Sequence, residues 1–161
     1  MSSFFNRVNH KGFFGKKIMA CNIYQTVKNS ILSTRRITNI VESALQKLNF
    51  SRACVSVHLI ADARMKKLNT KYLAKNSTTD VLSFSTESAA GNCEECDLGD
   101  IFISLPQIRR QAKVFGISEK EEFVRILIHG ILHLSGYVHQ KRRDSDKMFA
   151  LQEDLVHFFY E

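Results

Sequence analysis

Residues 129–139, HGILHLSGYVH, hold three of the chain's six histidines and two of its seven glycines. On an α-helix, His129 and His133 lie one turn apart on the same face, so both imidazoles can offer a nitrogen to a common point. Gly136 lets the backbone leave the helix through φ values that other residues avoid, which returns His139 toward that point. Three imidazole nitrogens with a fourth corner open to water favour a catalytic zinc site over a closed structural one. Imidazole suits zinc, the first candidate, and nickel, copper and iron bind the same donors.

The spacing equals that of HExxHxxGxxH, with Gly130 where the glutamate would stand. That glutamate is the general base of peptide hydrolysis, so its absence argues against a conventional metalloprotease and leaves the metal cage intact. Gly130 also lets another backbone approach the helix closely.

These residues need a helix to carry them, and the sequence supplies one. Ser118-Glu119-Lys120-Glu121 is a capping box that opens a helix ending near Gly136. Pro106 begins the helix before it, which stops at Gly116. Ser33 or Thr34 caps a helix with Ile37, Ile40, Val41, Ala44, Leu45 and Leu48 on one face. Asp62 starts another, DARMKKLNTKYLA, and a last one runs from about Asp144 to the C-terminus. Residues 53–61 alternate Val55, Val57 and Leu59 against Ser56 and His58, the period of a half-buried strand. Further strands are expected at 22–27, 80–85 and 98–104. Strands and helices mix without strict alternation, so the expected class is α+β: a small mixed β-sheet packed against several α-helices, with a metzincin-like three-histidine metal site.

Length and composition point to a single domain, 21–161, behind a basic extension of about 20 residues. Seven of the 23 basic residues precede Glu42, the first acid, so the remainder is neutral, with sixteen charges of each sign. The acid-free start, with Phe4, Phe5, Phe13 and Phe14, reads as a flexible extension, an organellar transit segment or a nucleic-acid-binding arm. A cytoplasmic location is the default, and mitochondrion or plastid follows if that segment is a transit peptide. No apolar run reaches the length of a membrane span. Cys93 and Cys96 form a lone CxxC in a polar loop, read as incidental, and four cysteines are too few for a disulfide scaffold.

Three ordered blocks carry a resemblance to the YbeY family of metal-dependent endoribonucleases. Residues 129–139 match HGxLHLxGYDH except at Val138. Leu68-Asn69 with Tyr72, followed by Thr79 to Phe84, is similar to LNxxYR and TDVLSF, and Leu98 to Ile101 is similar to LGDI. The departures are Leu73 for arginine, Thr78 and Ser85 for proline, and Val138 for an aspartate that could support His139. The resemblance covers about residue 22 to the end.

It implies a zinc-dependent, single-strand-specific endoribonuclease that matures small-subunit (16S) ribosomal RNA, notably its 3′ end, and acts in ribosome quality control. The implied zinc ligands are His129, His133 and His139, one ion per chain. Arg64 takes the place of the active-site arginine, and a guanidinium there would stabilise charge on the phosphoryl oxygens. The implied partners are ribosomal RNA and the small ribosomal subunit, with a ribosomal protein and an assembly GTPase. Arg109, Arg110 and Lys113, and the run Lys141 to Arg143, are candidates for phosphate contacts or solvated surface. Asp80 and Asp100 read as structural strand residues able to orient backbone or a histidine. The rival reading is a metal-stabilised ribosome-assembly factor that binds RNA or ribosomal protein and cleaves nothing.

Overall fold

Alternating apolar residues build a four-stranded sheet whose two faces differ in chemistry. The computed structural model describes residues 20–50, 52–86, 96–137 and 142–160. Its elements are β1 (Ala20–Gln25), α1 (Thr34–Lys47), β2 (Cys54–Ile60), α2 (Asp62–Leu73), β3 (Val81–Ser85), β4 (Asp97–Ser104), α3 (Leu105–Phe115), α4 (Glu119–Leu134) and α5 (Arg142–Tyr160). The α+β class is borne out. Strand order is β1-β2-β4-β3, with β1, β2 and β4 parallel and β3 antiparallel to β4.

Val55, Val57, Leu59, Ile101 and Ile103 join α1 and α4 in the main core. The alternate residues Leu82, Phe84 and Phe102 face the other way and meet Met65 and Leu68 of α2. His58 lies on that second face as expected, stacked between Tyr24 and Phe102 at ring-centroid distances of 4.7 and 4.2 Å. Its Nε2 is 2.6 Å from an Asp100 oxygen. Asp100 therefore orients a histidine, but on the sheet face opposite α4.

Helix ends follow the sequence signals. The Ser33 hydroxyl accepts from the Arg36 amide and the Ser118 hydroxyl from the Glu121 amide, each replacing a bond the first turn lacks. The Glu121 carboxylate, expected to complete the box, accepts from Arg125 at 3.1 Å. Pro106 lies in the first turn of α3, and Gly116 ends it at φ +67°.

Two features fix the sheet. A bulge lets Val55 pair with Gly99 one residue after Cys54 pairs with Asp97. Gly99 sits at φ +126°, and a Cβ there would lie 2.0 Å from the Phe84 carbonyl oxygen. At the other end of β4, one Asp62 oxygen accepts from Ser104 at 2.7 Å and from Thr78 at 3.3 Å, and the other accepts from Arg110 at 2.7 Å. Asp62 thus joins α2, β4 and α3, and Thr78 has a polar partner where the family pattern has proline. The Arg110 hydrogen bond is the main force holding the Asp62 carboxyl below its ordinary value of 3.8.

Two outcomes follow. Gly99→Ala should lower stability by about 3 kcal/mol or more in denaturant unfolding, since both φ and the Phe84 contact forbid a side chain. Asp62→Asn should cost about 1 kcal/mol or less, because Asp62 and Arg110 side chains are 35% and 50% exposed and solvent screens the pair. A depressed carboxylate stabilises the fold above its unfolded pKa and loses that contribution as pH falls through the folded value. The difference between wild type and Asp62→Asn should therefore be full near neutrality and shrink below about pH 4.

Candidate metal centre

The site is built on α4, which has apolar contacts on several sides. Phe123, Ile126, Leu127, Ile131 and Leu134 are buried. Gly130 faces the sheet: a Cβ there would lie 2.8 Å from Ile101 Cγ2 and 3.2 Å from the Ser83 hydroxyl. The sequence suggests a backbone approach at Gly130; the atoms that come close are instead these strand side chains.

The end of α4 orients His133. Gly136, at φ +90°, donates its amide to the His133 carbonyl at 3.1 Å, and Tyr137 donates to the Leu132 carbonyl at 3.0 Å. That bond pair is the Schellman C-cap, which requires a left-handed residue at Gly136. It returns the chain so that the Tyr137 carbonyl lies 3.1 Å from His133 Nδ1. A carbonyl only accepts, so Nδ1 carries a proton, and the neutral ring then presents its lone pair at Nε2. His129 is held from α5: its Nδ1 is 2.8 Å from Gln152 Oε1, again an acceptor.

In the neutral rings that these bonds orient, both Nε2 atoms present lone pairs, and the two lie 2.9 Å apart. Lone pairs at that separation repel unless one ring gains a proton or a cation lies within reach of both. A single ion with bonds of roughly 2.0–2.1 Å to nitrogen can span this distance. Neutral imidazoles oriented through Nδ1 are the donor form that metals take, so the described pair fits a metal. The third expected ligand, His139, lies outside the described residues, as do Val138 and the side chains of Lys141, Arg142 and Arg143. Among the described residues no group of three His, Cys, Asp or Glu side chains is placed to hold a metal, so the three-histidine cage reduces here to its helical half.

Arg64 is not brought to this pair. It lies in the first turn of α2, two residues from Asp62, which bonds Ser104 at the C-terminal end of β4. α4 runs the opposite way along β4: Asp80, whose carbonyl accepts from the Ser104 amide, bears electrostatically on Glu122 in its first turn, and Gly130 has reached Ile101. His133 lies one turn further on. The end of α2 level with this region, on the opposite face of the sheet, is the far one, where the Tyr72 ring is 4.9 Å from that of Phe84. Arg64 is eight residues, about 12 Å of helix, from Tyr72. Leu73, half exposed, occupies the near end where the family pattern has arginine.

The other candidates have structural partners. Arg109 pairs with Glu119 and donates to the Asn29 carbonyl, and Arg110 pairs with Asp62. Asp80 accepts from the Val81 amide at 2.8 Å and from Gln111 at 3.2 Å, which fixes the start of β3. Cys21 and Cys54 are free thiols, and burial pushes Cys21 up to about 12. Cys93 lies outside the described residues. The sequence reading missed Gln152 and the Tyr137 carbonyl. A signal existed for the first, a glutamine among Met148, Leu155 and Phe159 at helical spacing.

Among the described residues no helix is long and apolar enough to cross a membrane. Comparison with known proteins gives one consistent result. The family described as Endoribonuclease YbeY matches residues 22–160. A protein named Endoribonuclease YbeY from Persephonella marina is 38% identical over 133 residues, which cover 79% of this chain and 87% of the relative. One of the same name from Anaplasma phagocytophilum is 41% identical over 119 residues, 73% of this chain and 75% of the relative. The solution structure of TM1509 from Thermotoga maritima is similar at TM-score 0.65 and 25% identity, with 89% of each chain covered. The match takes in both the sheet and the paired histidines of α4, and the chain belongs to the YbeY family.

Proposed function

We propose that this protein is a zinc-dependent, single-strand-specific endoribonuclease that matures small-subunit (16S) ribosomal RNA, notably its 3′ end, and takes part in ribosome quality control. The observation that carries the reading is the convergence of the His129 and His133 Nε2 lone pairs 2.9 Å apart, inside the family's histidine motif. His129, His133 and His139 are the proposed ligands, with one zinc per chain. A zinc ion held by these histidines would supply Lewis-acid polarisation of a phosphodiester and would acidify water toward about 7. That chemistry is compatible with glycine at position 130, since it does not require the glutamate base of peptide hydrolysis.

The chain's own contribution is to hold both imidazoles unprotonated at Nε2 and to bind the RNA. Arg64 is proposed to meet the RNA backbone as a permanent positive charge at the Ser104 end of the sheet. Its distance from the histidine pair gives it a substrate-holding role in place of the transition-state role that the resemblance suggests. Ribosomal RNA, the small subunit, a ribosomal protein and an assembly GTPase are the proposed partners.

Metal content by mass spectrometry, with RNA cleavage on the same samples, tests the central assignment. Wild type should carry about one zinc per chain, and His133→Ala should lose zinc and cleavage together. Zinc-free wild type, or cleavage that survives in the variant, would contradict it. Wild type that associates with the small subunit and cuts nothing would favour the assembly-factor reading. For Arg64→Ala, the expected result is weaker RNA binding by a similar factor for different sequences, with a salt slope reduced by about 1 and kcat little changed. A fall confined to kcat would put Arg64 on the scissile phosphate.

A further inference from the structure

Gln152 is a polar residue in an apolar position. It lies on α5 among the buried Met148, Leu155 and Phe159 and is itself 4% exposed. Buried amides persist where their hydrogen bonds are made, and both ends of this one are used. Oε1 is 2.8 Å from His129 Nδ1, and Nε2 donates to Glu153 Oε1 at 3.2 Å.

We propose that Gln152 is a positioning residue: its amide nitrogen is committed to Glu153, so its oxygen is held toward His129 and fixes that ring with Nδ1 protonated and Nε2 able to bind a metal. The inference rests on the metal reading above for its function, but the tautomer it assigns stands on geometry alone. A glutamine amide has nearly the same shape either way round, so its partners decide the direction. The Glu153 carboxylate is gripped at both oxygens by Arg125, at 3.1 and 3.3 Å. That guanidinium also holds the Glu153 carboxyl below its ordinary range. An ionised carboxylate only accepts, so reversing the Gln152 amide would set oxygen against oxygen on one side. On the other it would set N–H against a ring nitrogen, forcing His129 to surrender its Nδ1 proton. Charge on Arg125 in α4 is thereby transmitted through Glu153 and Gln152 back to the tautomer of His129, one turn further along the same helix.

The test uses the full chain, metal-free for long-range 1H–15N spectra of the histidine rings, and Zn2+ titrated in competition with a chromogenic chelator. Wild type should show His129 protonated at Nδ1. Gln152→Met keeps the bulk without the acceptor and should mix the tautomers and weaken zinc binding about 10–100-fold. Gln152→Glu combined with Glu153→Gln restores an acceptor without setting oxygen against oxygen and should keep zinc affinity within about threefold of wild type, a rescue that a packing role would not produce. If Gln152→Met does not fold, Glu153→Ala at a half-exposed position should still lower the Nδ1-protonated fraction. An unchanged tautomer in the variant that folds, or equal loss of affinity in the Gln152→Met and double variants, overturns the proposal. Wild type that takes up no zinc sinks the metal reading instead, and the tautomer spectra still decide the role of Gln152.

Discussion

With no side chain at Gly130, α4 lies against Ile101 of β4 and Ser83 of β3 more closely than any other residue there would allow. A methyl group at that point would push the helix off the sheet, and much else refers to where α4 sits. α1, α3 and α5 all pack against it. The same glycine stands between the two histidines, so the constraint that seats the helix also sets the height of the imidazoles above the strands.

Each imidazole is then oriented by an acceptor from a different source. His133 uses a local one, the Tyr137 carbonyl supplied by the helix's own C-cap. His129 uses a distant one, Gln152 from α5, so its orientation requires the C-terminal helix to be docked. α5 is anchored by Met148, Leu155, Val156 and Phe159 in the core and by Arg125, which links Glu121 and Glu122 of α4 to Glu153. Burial of Glu122 raises its pKa against the lowering effect of Arg125, so this network carries a desolvation cost as well as a cohesive role. Its clearest consequence is geometric: it fixes where Gln152 points.

How much of this is legible in the sequence depends on whether the cause is local. Ser33, Pro106, Gly116 and Ser118 mark helix ends because capping acts within one turn, and the Val55, Val57, Leu59 alternation gives the face of β2 because side chains alternate along a strand. The His129 and His133 pair is legible for the same reason. Arg64 illustrates the opposite case. Its place on a helix is readable, but which end of α2 is level with the histidine pair depends on the order β1-β2-β4-β3 and the direction in which each helix crosses the sheet. Arg109 and Arg110 look available in sequence, and their partners Glu119 and Asp62 become apparent only when α2, α3 and the start of α4 meet. Gln152 lies between these cases, since its spacing flags a polar residue in a buried stripe but the partner belongs to another helix.

The central claim is that a metal binds where the Nε2 atoms of His129 and His133 converge. Anomalous diffraction at the zinc edge, from crystals equilibrated with zinc, tests it most directly. The account predicts one strong peak at roughly 2.0–2.1 Å from both Nε2 atoms. A peak bonded to neither histidine, or no peak while both rings keep their Nδ1 hydrogen bonds, would contradict it.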